Sequence, residues 1–143
     1  MAAPARQRGA LAAVSLIFLS PQAASAAEPC KLLTVQEISQ VLGALVASPA
    51  PLGTTGCLWA QRVSLTLRPA TAWARITMPG PGITKTSVNG LGEAASVSEM
   101  QQVVTLSVKQ GANVIILTVY GVNGVERQRA AEESLARLAL PRL

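Results

Sequence analysis

Histidine is absent from this chain, and aspartate is absent from residues 27–143. The serine and cysteine nucleophiles of common hydrolases depend on a histidine base, which a carboxylate usually orients. Hydrolases that use a Ser-His-Asp triad or a Cys-His pair are therefore excluded. Zinc sites built on histidine are excluded as well, and two cysteines alone cannot form a structural zinc site. The sequence predicts no enzyme, no catalytic residue, no metal site and no cofactor.

Glutamate is the only acidic residue left to consider in residues 27–143, and paired glutamates can act as general acid and base. Glu93 and Glu99 lie in one loop region, while Glu132 and Glu133 are neighbours on a predicted helix. Nothing in the pattern brings either pair into a shared cleft. We expect all four carboxylates to be solvated.

Runs of basic residues are also lacking. Residues 27–143 contain ten Lys or Arg and seven Glu, a surplus of three positive charges scattered from Lys31 to Arg142. Nucleic-acid binding usually requires a concentrated basic patch. We expect a solvated surface of mixed charge and no nucleic-acid partner.

The amino terminus has the pattern of a secretory signal peptide. Arginines precede the apolar stretch Gly9–Leu19, and Ala24-Ser25-Ala26 is an Ala-x-Ala cleavage site. The stretch has about 11 residues, whereas a helix that spans a bilayer needs roughly 20. We predict a signal peptide at 1–26, a single domain at 27–143, no stable transmembrane anchor, and a periplasmic or secreted protein.

Only two cysteines are present, Cys30 and Cys57. A lipid anchor on Cys30 needs small apolar residues directly before it, but Ala27-Glu28-Pro29 occupy those positions. One intramolecular pairing is possible, and it would form in an oxidising compartment. A redox pair is the alternative, but such pairs usually have the closer Cys-x-x-Cys spacing. We therefore favour a structural disulfide.

The clearest helix signal covers residues 35–42. Thr34 and Glu37 form a Ser/Thr-x-x-Glu capping box before the apolar repeat. Gly43 supplies a left-handed stop at its end. Residues 44–56 are rich in Ala, Pro, Gly and Thr, and this composition predicts a loop.

The middle of the chain predicts a hairpin and then a helix. Short strands at 57–60 and 63–68 are expected to pair around Gln61, because apolar and polar residues alternate in the second of them. Residues 70–78 have apolar residues at helical spacing and predict a short helix. The Pro-Gly-Pro-Gly segment at 79–82 breaks it.

The second half predicts further strands. Residues 83–99 are expected to be mostly loop, with a brief strand near 86–88. The clearest strands are 103–108 and 113–120, joined by a turn that contains Gly111.

A last helix is expected to begin near Asn123, whose side chain can cap it, and to stop at Pro141. The fold class is therefore α+β. We expect an antiparallel sheet of about four to five strands packed by an N-terminal and a C-terminal helix, with one disulfide.

The segment Gly90-Leu91-Gly92-Glu93 contains two closely spaced glycines. A phosphate-binding Gly-x-Gly-x-x-Gly loop would need a third glycine, and position 95 is Ala. We favour a tight turn that requires positive φ angles.

Three segments together resemble a known group of proteins: Cys30-Lys31-Leu32-Leu33-Thr34 with Glu37, Cys57-Leu58-Trp59, and Val88–Ala95. They resemble small secreted domains of unknown function in bacterial cell-envelope proteins, many of which are lipoproteins. The resemblance to extracellular sensor domains of envelope kinases is more distant. The resemblance to the secreted envelope domains implies the Cys30–Cys57 bridge, a fold of the same kind and an extracytoplasmic location. It implies no catalytic chemistry.

Two functions remain after enzymes are set aside. An exported binding module for a small apolar ligand or an envelope component could use the scarce aromatics Trp59, Trp73 and Tyr120, although each could instead fill the core. The alternative is an accessory or inhibitor domain that docks on another envelope protein. Trp73 beside Arg75 would then be its anchor, since both residue types are enriched in interface hot spots.

Overall fold

A computed structural model describes residues 27–143, and the predicted signal peptide at 1–26 lies outside the described residues. Over residues 27–143 the predicted α+β class is confirmed, with one antiparallel sheet, three α-helices and one disulfide. The sheet has seven strands, which is more than the four to five expected. The helices are α1 Val35–Leu42, α2 Trp73–Ile76 and α3 Val125–Ala139.

All seven strands form one sheet in the spatial order β1-β2-β3-β7-β6-β5-β4, and every neighbouring pair is antiparallel. The strands are β1 Pro49–Leu52, β2 Gly56–Trp59, β3 Val63–Pro69, β4 Thr84–Val88, β5 Ala94–Met100, β6 Val103–Gln110 and β7 Asn113–Val119. The clearest sequence predictions, β3, β6 and β7, occupy the centre of the sheet. The predicted hairpin around Gln61 is confirmed by the antiparallel pair β2 and β3.

The hydrophobic core lies between one face of the sheet and the helices α1 and α3. Leu65 on β3, Leu117 on β7 and Leu106 on β6 are cross-strand neighbours and are fully buried there. Alternate residues of these strands point to the opposite face, which carries mainly Ser and Thr, with Val114 and Ile116 on β7. That second face of the sheet is where the candidate site lies.

The predicted capping box of α1 is confirmed. The Thr34 backbone N–H donates to Glu37 Oε2 at 2.9 Å, and the Glu37 N–H donates to Thr34 Oγ1 at 3.1 Å. Gly43 ends the helix with φ +66°. Each contact satisfies a backbone group that the helix end leaves without an intrahelical partner.

The Cys30–Cys57 disulfide is also confirmed, with 5.1 Å between the Cα atoms. It joins the 3-10 turn Pro29–Lys31 to strand β2. The amino terminus of residues 27–143 is thereby attached to the sheet near the core.

The loop predicted at 44–56 is wrong in part, because it contains the edge strand β1. All four residues of β1 are exposed, so no buried alternation could reveal it. Pro49 and Pro51 lack N–H donors, and proline occurs on edge strands with its missing donor on the solvent side. The prolines that argued against regular structure therefore mark a sheet edge.

The brief strand predicted near 86–88 lies within β4, but the loop predicted over the rest of 83–99 is wrong over most of its length. This segment forms β4 and β5, which pair along five residues from Thr84↔Glu99 to Val88↔Ala95. Strand β4 is polar and largely exposed, and β5 buries only small apolar residues on the core side. Neither strand has the strong alternation that identified β3.

The helices near residues 70 and 123 differ from the predictions in detail. The expected helix at 70–78 consists of a 3-10 turn, Ala70–Ala72, followed by the single turn of α2. Asn123 does not cap α3, because Gly124 occupies the N-cap with φ +94° and no side-chain hydrogen bond. Helix α3 ends at Ala139, two residues before Pro141.

Candidate functional site

A cleft of about 410 Å³ lies between α2 and the outer strands β4 and β5. Trp73 and Thr77 line it from the α2 segment, and Lys85 and Ser87 line it from β4. The β4–β5 loop closes one end. The residues that line the cleft are Trp73, Thr77, Lys85, Ser87, Val88, residues 89–95 and Ser96.

Helix α2 is held over the second face of the sheet by contacts at both of its ends. The Ala70 N–H donates to the Ala112 carbonyl at 2.8 Å, which ties the start of the turn to the β6–β7 hairpin. The Lys85 ammonium donates to the Ile76 carbonyl at 2.8 Å, at the carboxyl end of α2. Thr77 Oγ1 bonds the Trp73 carbonyl at 3.0 Å and closes the same turn. The position of Trp73 is therefore fixed by the sheet beneath it.

The β4–β5 loop confirms the predicted turn with positive φ angles. Gly90 has φ +76° and Gly92 has φ +59°. A Cβ atom on Gly92 would lie 2.5 Å from Val108 Cγ1 and 2.8 Å from the Lys109 carbonyl oxygen, so only glycine fits there. The Glu93 carboxylate accepts the Gly111 N–H at 2.7 Å and fastens the loop to the next hairpin.

Lys85 is the one cation that lines the cleft. Thr86 lies on the core side opposite Val97, so Lys85 and its cross-strand neighbour Ser98 point to the second face. The ammonium group donates to Ser98 Oγ as well as to the Ile76 carbonyl. Among residues 27–143 no carboxylate forms an ion pair with it. Sequence reasoning did not select Lys85, because the polar segment around it gave no strand signal.

The four residues predicted as possible contacts do not meet at one site. Trp59 is fully buried in the core, so the alternative that it fills the core is correct. Trp73 is half-buried on the cleft wall. Tyr120 is 43 % exposed and borders a separate surface near Leu58. Arg75 is exposed and does not line the cleft.

The expectation that Glu132 is solvated is wrong. Its side chain is completely buried, and burial raises the pKa of its carboxyl to about 8, although the hydrogen bond from the Val119 backbone opposes this rise. Oε1 accepts the Val119 N–H at 2.9 Å, and Oε2 has no protein partner. Glu132 precedes Leu135 and Ala136 by three and four residues, and this helical spacing is the signal that places it on the buried face.

Glu132 and Gln128 accept backbone N–H groups at the point where β6 and β7 separate. The register of these strands begins at Leu106↔Leu117, so the Val119 and Val104 N–H groups need other acceptors. Glu132 accepts the first and Gln128 Oε1 accepts the second at 3.2 Å. Because Glu132 does not line the cleft, we assign it a structural role.

The remaining chemistry in the described chain is limited. Within residues 27–143 no three His, Cys, Asp or Glu side chains are grouped so that they could hold a metal ion. Over the same range no helix is long and apolar enough to cross a membrane. Comparisons with protein-family models, curated proteins and solved structures found no match. The cleft is the candidate site on its geometry alone.

Proposed function

We propose that residues 27–143 form an exported, non-catalytic binding module that holds a small cell-envelope component in the α2–β4–β5 cleft. The observation that carries this proposal is Trp73, a half-buried aromatic side chain on the wall of a cleft that also presents a lysine and serines. Ligand sites typically combine apolar and aromatic walls with a few polar groups. Export is supported by the signal-peptide pattern and by the disulfide, which persists in oxidising compartments.

The lining favours a ligand with one apolar face and one polar edge. Trp73 and Ala94 offer apolar surface, whereas Lys85 and Ser87 offer hydrogen-bond donors. A small apolar ligand would contact mainly the apolar side chains. An envelope component with both apolar and polar parts would contact the apolar side chains and the hydrogen-bond donors.

The absence of catalysis is part of the proposal. Glu93 is the one carboxylate that lines the cleft, and its Oε1 is engaged by the Gly111 N–H. A general base must reach the proton that it abstracts, and no histidine is available to assist it. Glu93→Gln can still accept the Gly111 N–H, so we expect it not to weaken ligand retention. Multiple turnovers of any envelope substrate by the wild type, abolished in Glu93→Gln, would contradict the proposal.

Native mass spectrometry of protein purified from its own envelope tests the binding function. We expect a bound molecule on the wild type and on Trp73→Phe, and its loss from Trp73→Ala. Tyr120→Ala is the matched control, because it removes an exposed aromatic outside the cleft. Denaturation curves must show that all four proteins are folded. A wild type without bound mass, or equal retention by Trp73→Ala, contradicts the assignment.

A second candidate function, docking on another envelope protein, is favoured by the free edge of β4. Strand β4 ends the sheet on one side and contains no proline, whereas β1 on the other side contains Pro49 and Pro51. An exposed edge strand without proline can pair with an extended segment of a partner. Trp73 of α2, above β4, would border such a segment.

Photocrosslinking in the envelope separates this candidate from the first. A photoreactive residue at Thr86, which is exposed on β4, is compared with one at Ala50, which is exposed on β1. Docking through β4 predicts an adduct with one defined protein at position 86 and none at position 50. Equal labelling at both positions, or none, contradicts docking through β4.

A further inference from the structure

Lys85 is a partly buried cation whose contacts within the fold are neutral groups. Glu37, Glu133 and Glu28 each have a basic partner within 4.0 Å. Lys85 is half-buried, yet the groups that it contacts are a carbonyl and a hydroxyl. Taking a cation partly out of water without an opposite charge is unfavourable. An anion supplied from outside would relieve this cost.

The geometry leaves room for that anion. An ammonium group has three N–H donors, and within residues 27–143 two of those of Lys85 have acceptors, the Ile76 carbonyl and Ser98 Oγ. The same two contacts hold the side chain in place, so little conformational entropy remains to be lost on binding. Because Lys85 lines the cleft, an anion there would lie beside Trp73.

Two hydroxyl groups extend the polar surface next to Lys85. Ser87 is two residues further along β4 and therefore faces the same side of the sheet. Ser96 is its cross-strand neighbour on β5, and both residues line the cleft. Neither hydroxyl has a hydrogen-bond partner within the described part of the chain. Hydroxyls can donate to the oxygens of a carboxylate or phosphate.

We propose that the cleft binds the anionic group of its ligand, a carboxylate or a phosphate, at Lys85, with Ser87 and Ser96 as further donors and Trp73 against the uncharged part. This inference rests on the proposed binding function and adds the charge of the ligand. Glu93 is the other charged group that lines the cleft, and its Oε1 is already bonded to the Gly111 N–H. The negative charge of Glu93 repels an anion in the cleft, so Glu93→Gln should strengthen anion binding.

Three probes with the same sugar ring test the charge preference by NMR titration. N-acetylmuramic acid carries a carboxylate, N-acetylglucosamine 1-phosphate carries a phosphate, and N-acetylglucosamine is neutral. The Trp73 indole N–H reports on the cleft, and that of the buried Trp59 is an internal reference. We expect at least one anionic probe to bind roughly tenfold more tightly than the neutral one, as one charge-assisted hydrogen bond would give. The stronger of the two anions identifies carboxylate or phosphate as the source.

Variants decide whether Lys85 is responsible. Lys85→Met should abolish the preference and Lys85→Arg should retain it, while Lys31→Met, which removes an exposed charge outside the cleft, should leave it unchanged. If Lys85→Met does not fold, the wild-type comparison of anionic and neutral probes still decides the question. Equal affinities for all three probes, or no shift at Trp73 at millimolar concentrations of either anion, would overturn the anion site. The native mass spectrum tests the binding function independently, because a neutral bound molecule would keep that function and exclude the anion.

Discussion

Glu132→Gln is expected to remove a pH dependence that the buried carboxyl imposes on folding. The pKa of this group is raised from 4.5 to about 8 in the folded protein by burial. Between these two values the unfolded chain releases the proton while the folded protein keeps it. The stabilising contribution is therefore full below pH 4.5 and is lost as the pH rises towards about 8.

The size of the effect follows from the same two pKa values. Each pH unit in this window costs about 1.4 kcal/mol. From pH 5 to pH 8 the upper limit is about 4 kcal/mol, and relaxation around the charge reduces the expected loss to about 2–4 kcal/mol. Glutamine keeps an oxygen for the Val119 N–H and does not ionise. Glu132→Gln should thus resemble the wild type near pH 5 and exceed its stability at pH 8.

Urea denaturation at pH 5 and pH 8 measures this difference directly. Glu133→Gln is the matched control, because Glu133 is the next residue on α3 but forms an ion pair with Arg129 at 3.0 Å. The control should not gain stability at pH 8. If Glu132→Gln gains none either, the carboxyl is ionised or hydrated in the folded protein, and the raised pKa on which this prediction depends is wrong.

Three further predictions concern the parts that hold the fold together. Cys57→Ser should lower the free energy of unfolding by roughly 2–5 kcal/mol, measured by denaturation without reductant, and an unchanged stability would exclude a structural role for the bridge. Gly92→Ala should cost about 2–3 kcal/mol because of its positive φ and its contact with β6, whereas Gly90→Ala, with no atom within 4 Å of its Cβ, should cost about 1 kcal/mol. The Arg142 guanidinium lowers the pKa of Glu37 to about 2, so the wild type should lose stability as the pH falls from 4.5 to 2. Arg142→Gln should flatten that loss in thermal denaturation, and a parallel acid profile would contradict the coupling.

The parts of the fold that were predicted correctly are those with strong local signals. The capping box at Thr34 and Glu37 specifies the start of α1 with few alternatives. Alternation along β3 and the apolar run of β7 mark strands whose side chains are buried in the sheet. Local pattern and tertiary burial agree at these positions.

The strands that were missed or predicted only in part, β1, β4 and β5, lie where local pattern and tertiary burial do not agree. Strands β1 and β4 form the edges of the sheet and bury little, so their sequences are free to be polar or rich in proline. Their pairing depends on neighbours that are distant in sequence, as for β4 against β5. A single sequence carries no direct record of such pairing.

Of the two principal residues of the candidate site, Trp73 was predicted from the sequence and Lys85 was not. Trp73 was selected because large aromatics are scarce, but the same argument selected Trp59, which is buried in the core. Composition alone does not separate the two tryptophans. Lys85 was missed because its position in the cleft depends on α2, whose Ile76 carbonyl it binds across the face of the sheet.

A crystal structure of the protein purified from its own envelope, without any added ligand, shows whether a molecule occupies the α2–β4–β5 cleft. We expect electron density for a small molecule in this cleft, in contact with the Trp73 ring and with an acidic group within hydrogen-bond distance of Lys85 Nζ. Ordered water alone in that cleft, or a bound molecule at another surface of the domain, would contradict the proposed binding site.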